Sequence, residues 1–68
     1  MDIYELYRYV SRPIRIQHNI GPSYPNPLHV YITRVNSDNS IDVICRNAAG
    51  FLHETTFQSN TIISYLCA

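Results

Sequence analysis

Between residues 13 and 18 apolar and polar side chains alternate, Ile14 and Ile16 on one side and Arg15 and Gln17 on the other, as a half-buried strand requires. Pro13 can open that strand because it has no ladder donor to lose. The period of two returns over residues 28–35, where Leu28, Val30 and Ile32 alternate with His29, Tyr31 and Thr33. From Ile41 to Phe57 two alternating runs flank Asn47-Ala48-Ala49-Gly50, an order that suits a type I turn with glycine in the left-handed bulge position. The pattern predicts a β-hairpin of strands 41–46 and 51–57. With Asn47 opposite Phe51, Cys45 faces His53, Val43 faces Thr55 and Ile41 faces Phe57 on one side of the hairpin. The other side carries Ile44, Arg46, Leu52 and Glu54. A β-branched run over residues 61–66 is the last strand, and Gln58-Ser59-Asn60 before it has room only for a tight turn or a single 3₁₀ turn.

Ahead of the strands the period changes. Ile3, Leu6, Tyr7 and Val10 fall on one helical stripe, and Asp2 with Glu5 forms a capping box, so a short amphipathic helix is expected over residues 3–10. Pro13 biases Arg12 away from helical geometry and ends it. A helix of two to three turns does not persist alone and must lie on an apolar surface. Two irregular segments remain. Asn19 to Pro27, with Tyr24 at its centre, is the longest loop and a favoured position for binding; Asn36-Ser37-Asp38-Asn39 is a polar turn. A helix followed by five short strands, with a one-turn break before the last, is the element order of a small SH3-like or Sm-like barrel. Closure would remove the exposed strand edges. An open sheet with the helix on one face is the alternative.

The chain has 68 residues, enough for one domain and one small core. Hydrophobic residues make up 46% and charged residues 15%, which excludes a disordered polypeptide. So small a core leaves room for a partner, or for a homodimer, to add stability. Five arginines balance five acids, and non-specific nucleic-acid binding normally needs a basic excess. Lysine is absent and six tyrosines accompany the arginines, a surface that favours protein recognition through planar, directional contacts. The amino-terminal MDIYELYRYV lacks the apolar run of a secretory signal, and no segment approaches membrane-spanning length, so the expected setting is cytoplasmic and its thiols reduced.

Candidate chemistry is sparse. Cys45 beside His53 is the one pair with the ingredients of a thiolate nucleophile, but the third orienting group and an oxyanion site are missing, and Cys45 shares the core-facing alternation of Ile41 and Val43. His18, His29, His53 and Cys67 show no zinc-ligand spacing, so neither a metal nor another cofactor is expected. Asp42 and Glu54 share a hairpin face with Arg46, which favours surface ion pairing over acid–base chemistry. Arg15, Gln17, His29 and Tyr31 share a face of the first two strands, with Ile44 and Leu52 extending it as an apolar patch unless the amino-terminal helix covers them. Arg15, Tyr24, Tyr31, Arg34 and Arg46 are the residues expected to bind a partner.

The run Asp42-Val43-Ile44-Cys45-Arg46, followed by Gly50, Phe57 and Ile62, resembles the core of the WYL domain, a bacterial Sm-like barrel of transcriptional regulators and phage-defence-associated proteins. Arg12-Pro13-Ile14-Arg15-Ile16 resembles its opening strand. Two arginines of that family's ligand or nucleic-acid site fall on Thr55 and Thr61, and its name-giving aromatic triplet is replaced by Ile41-Asp42-Val43. The helix, hairpin and final turn are also similar to the small barrel proteins that inhibit the bacterial Rho termination factor by covering its RNA-binding surface. The resemblances imply a non-enzymatic regulatory or inhibitory module that docks on a larger host protein complex, of the size class encoded by phages and mobile elements. The alternative they imply is a nucleic-acid- or nucleotide-binding barrel.

Overall fold

The computed structural model describes residues 3–67. Five antiparallel strands form one sheet: β1 Pro13–His18, β2 Leu28–Val35, β3 Ser40–Arg46, β4 Leu52–Gln58 and β5 Ile62–Cys67, in the spatial order β4-β3-β2-β1-β5. Hairpin pairing links each of the first three strands to the next in sequence, and β5 returns to the far side of β1. No ladder joins β4 to β5 among the described residues, so the five strands form a single sheet whose hydrogen bonding does not close on itself.

The amino-terminal segment Ile3–Tyr9 is a seven-residue 3₁₀ helix, where the spacing of apolar residues suggests α-helical periodicity. At three residues per turn Ile3, Leu6 and Tyr9 align, and the first two are buried while Tyr9 is half-buried. Tyr7 drops off that line, stands 55% exposed and stacks on Tyr4. Asp2 of the expected capping box lies outside the described residues. The helix packs over β2 on the inner side of the sheet, which leaves Ile44 and Leu52 on the outer side uncovered by it.

The inner layer is built in cross-strand rows. Ile14, Val30, Cys45 and His53 form one row, Ile32, Val43 and Thr55 a second, and Val35, Ile41 and Phe57 a third. Ile16 and Leu28 extend this layer, and Ile3, Leu6 and Ile62 complete the core. Each such aliphatic side chain withdrawn from water contributes roughly 1.5–3 kcal/mol, which is how so short a chain offsets its ordering entropy.

Two bulges adjust the pattern. Ile32 pairs with Val43 but Arg34 with Asp42, so Thr33 is an extra residue in β2. It leaves Arg34 exposed and returns Val35 to the core, a switch that strict alternation from Ile32 would not place there. On β5, His18 pairs with Ile62 and Gln17 with Ser64, making Ile63 the extra residue.

Candidate functional site

The outer face of the sheet carries the side chains that the strands do not bury. The β3–β4 turn sets its register: Gly50, at a φ of +86°, occupies the left-handed position, its N–H donates to the Asn47 carbonyl at 2.9 Å, and the Asn47 side chain accepts from the Phe51 N–H. Arg46 therefore lies opposite Leu52, and Ile44 opposite Glu54. Tyr31 lies between Pro13 and Ile44 across β1, β2 and β3. Pro13, Tyr31, Ile44, Arg46 and Leu52, together with Pro25 and Pro27, line an open groove of about 290 Å³. A smaller hollow of about 150 Å³ adjoins it at Pro27 and is lined by Arg15, Gln17 and Leu66.

One row of this face crosses all five strands. Leu52 pairs with Arg46, Arg15 pairs with both His29 and Leu66, and the β2–β3 register brings His29 level with Arg46. The order across the sheet is Leu52, Arg46, His29, Arg15, Leu66. Leu52 and Leu66 are 61% and 63% exposed. Arg46 donates to the Gly50 carbonyl at 3.0 Å, which fixes its direction and leaves its remaining donors without a partner among the described residues. Among the described residues no ion pair joins Arg15 or Arg46 to a carboxylate.

The loop over residues 19–27, which holds the prolines of the groove, is tied down by two residues. Asn26 behaves as a strand neighbour of His18, its Nδ2 donating to the His18 carbonyl at 2.8 Å and its Oδ1 accepting the His18 N–H at 3.3 Å. The buried His18 ring accepts the Ile20 N–H at Nδ1, which assigns the remaining hydrogen to Nε2, 2.8 Å from the Pro25 carbonyl. Tyr24 is half-buried, stacked on His53 with its hydroxyl hydrogen-bonded to His53 Nε2 at 3.2 Å, and edge-on to Phe57. Ala48 N–H donates to the Ser23 carbonyl and joins the loop to the β3–β4 turn.

The other end of the outer face is closed in on itself. Asp42 accepts hydrogen bonds from Thr56 Oγ1 at 2.7 Å and Asn36 Nδ2 at 2.9 Å. Those two bonds, with Arg34 nearby, hold its carboxyl below the ordinary carboxylate range. Asn36 also bonds Ser40, whose hydroxyl donates to Asp38. The ion pairing expected of Asp42 and Glu54 with Arg46 is absent among the described residues, and Asp42 sits instead in a hydrogen-bonded hub at the far end of the face from Arg46.

Of the residues expected to bind a partner, the sheet brings Arg15, Tyr31 and Arg46 together, places Arg34 beside Asp42 and leaves Tyr24 on the loop against His53 and Phe57. Sequence reasoning does not reach Pro13, Pro25, Pro27 or Leu66 as parts of this face. For Leu66 the alternation of β5 is interrupted by the bulge at Ile63; the prolines reach the groove only through the loop's fold. Cys45 and His53 are cross-strand neighbours as their spacing implies, but burial raises the Cys45 thiol, the direction opposite to a ready thiolate. Cys67 sits three strand spacings from Cys45 in the same inner row, roughly 14 Å along the sheet, against a Cα separation under about 7 Å for a disulfide. No group of three or more His, Cys, Asp or Glu among the described residues is placed to hold a metal ion, and no helix there is long and apolar enough to cross a membrane. Comparisons with protein-family models, with curated proteins and with solved structures give no match to this chain.

Proposed function

We propose that this protein is a non-enzymatic, protein-binding regulatory module that docks on a larger partner through the outer face of its sheet. The observation that carries this reading is the groove bounded by Tyr31, Ile44, Arg46 and Leu52, in which exposed apolar and aromatic side chains lie beside an arginine that has no carboxylate partner among the described residues. Surfaces of that composition, an apolar centre with Tyr and Arg, are where binding energy concentrates in protein interfaces. The strand order, with a 3₁₀ turn Ser59–Thr61 between β4 and β5, supports a small barrel of the SH3-like or Sm-like kind as the scaffold. Capture of a tagged form from nuclease-treated bacterial lysate tests the reading. One stoichiometric protein retained by the wild type and released by Leu52→Glu or Arg46→Ala is the expected result; a protein retained equally by all three overturns docking through this face.

The nucleic-acid alternative rests on a specific feature as well: Arg15 and His29 stand opposite one another next to Tyr31, an arrangement that can stack on a base and meet a phosphate. It predicts that nuclease removes all bound material and that affinity falls steeply with salt. Two arginines neutralise few phosphates, which is why the protein partner is preferred.

A further inference from the structure

The row Leu52, Arg46, His29, Arg15, Leu66 has a chemistry of its own. Like charges at neighbouring cross-strand positions repel, and sheets ordinarily relieve this by setting an acid opposite each base. Here the direct cross-strand neighbours of both arginines are His29 and leucines. Glu54, the acid nearest in register, faces Ile44 one row away. Asp38 and Asp42 are committed to the hub at the other end of the face. The chain is neutral overall, yet among the described residues its outer face is divided into an acidic end whose carboxylates are hydrogen-bonded and a basic end whose arginines meet no carboxylate.

Resting on the reading of this face as a protein-docking surface, we infer that its occupant is an extended acidic segment of the partner, with two carboxylates about three residues apart and large apolar side chains outside them. Charge complementarity and spacing point to this occupant. Arg46 and Arg15 lie on alternate strands, two strand spacings or roughly 10 Å apart. In an extended segment with three residues per turn, side chains three apart point the same way and stand roughly 9 Å apart. One carboxylate then meets each guanidinium, each of which can accept it with paired donors. His29 lies between the two contacts, and Leu52 and Leu66 receive the apolar side chains beyond them. A segment lying this way crosses the strands and takes no hydrogen bond from a sheet edge.

The test uses the full chain, isotope-labelled, with synthetic peptides followed by NMR. One peptide carries Leu-Glu-x-x-Glu-Phe, a second has both glutamates replaced by glutamine, a third sets the glutamates side by side, and oligothymidylate is the nucleic-acid probe. The expected result is that the first peptide shifts the amides of Arg15, His29, Arg46, Leu52 and Leu66, and binds about tenfold more tightly than the glutamine form, the scale of two exposed ion pairs. The charge-reversed double variant Arg15→Glu, Arg46→Glu should lose that peptide and bind its lysine counterpart, a reciprocity that misfolding cannot mimic. Equal binding of the glutamate and glutamine peptides on this face overturns the acidic occupant and leaves protein docking standing. Equal binding of the spaced and adjacent glutamates overturns the two-point geometry. Binding of oligothymidylate in place of every peptide overturns both the inference and the protein-docking reading. Binding of none of the probes at millimolar concentration overturns the inference alone, since docking through the face is judged by capture of the partner.

Discussion

At one end of the outer sheet face Asp42 collects hydrogen bonds from Thr56 and Asn36, and Asn36 and Ser40 pass the network on to Asp38. At the other end Arg46, His29 and Arg15 stand in register between two exposed leucines with no carboxylate opposite them. Both ends lie on the same side of the same sheet. They differ in where their polar groups find partners. The acidic end satisfies itself and thereby fixes the turn over residues 36–39, in which Asn39 takes a left-handed conformation at φ 65°. At the basic end the one arginine hydrogen bond among the described residues is that of Arg46 to the Gly50 carbonyl. A polar surface is structural where its groups answer one another and available where they do not, and net charge, which is zero here, cannot distinguish the two.

A change in the core beneath the acidic end sets the scale. Ile41 is fully buried, adjoins Asp42 along β3 and packs between Val35 and Phe57. Ile41→Ala is expected to cost about 2–5 kcal/mol, enough to abolish cooperative thermal unfolding in so small a domain or to lower its midpoint severely. Asp42→Ala acts on the acidic end alone. It removes the acceptor of two side-chain hydrogen bonds on a partly exposed carboxylate, so the expected loss is about 1–2 kcal/mol, or roughly 5–15 °C in the melting midpoint. The sign of its pH dependence comes from the lowered carboxyl. The unfolded chain takes up this proton more readily than the folded one, so the contribution is complete above the ordinary value of 3.8 and disappears as pH falls through the lower folded value. Denaturant titrations across that range should show a shallower acid limb for the variant; identical limbs would mean that Asp42 is not the hub.

Much of this comparison is legible in the chain itself, and the parts that are not have physical reasons. The turn Asn47-Ala48-Ala49-Gly50 dictates the pairing of Cys45 with His53 and of Ile41 with Phe57, because a glycine in the left-handed position fixes one register and a slip of one residue would expose the whole core face. Alternation likewise places Arg15, His29 and Tyr31 on one side. It cannot place Arg34, because an extra residue at Thr33 has no local signature and shifts Arg34 and Val35 by one position. The period of the helix is equally hidden, since seven residues hold too few turns to separate 3.0 from 3.6 residues per turn. The role of Asp42 escapes sequence reasoning because its partners come from β4 and from the turn before β3, contacts of fold rather than of spacing.

The loop that walls the groove offers a smaller test. Asn26→Ala leaves the backbone groups of His18 without their side-chain partner, at an expected cost of about 1 kcal/mol. Its larger consequence is on the position of Pro25 and Pro27, so partner affinity should fall while the acid limb set by Asp42 is unchanged. Parallel loss of both would show that the two ends are not independent.

The smallest effect on stability is the most informative. Arg15→Ala together with Arg46→Ala removes one exposed hydrogen bond, that of Arg46 to the Gly50 carbonyl, and also removes two like charges from the same row of the sheet. These opposing terms leave the expected change in unfolding free energy within about 0.5 kcal/mol of zero. If the basic end exists to hold the fold together, as the acidic end does, the double variant should instead lose as much as Asp42→Ala. Measuring both variants by the same denaturant titration therefore separates the two roles without knowledge of any partner. A stable double variant that no longer retains the captured protein assigns the arginines to recognition, because they then contribute nothing to the fold that would otherwise account for their placement.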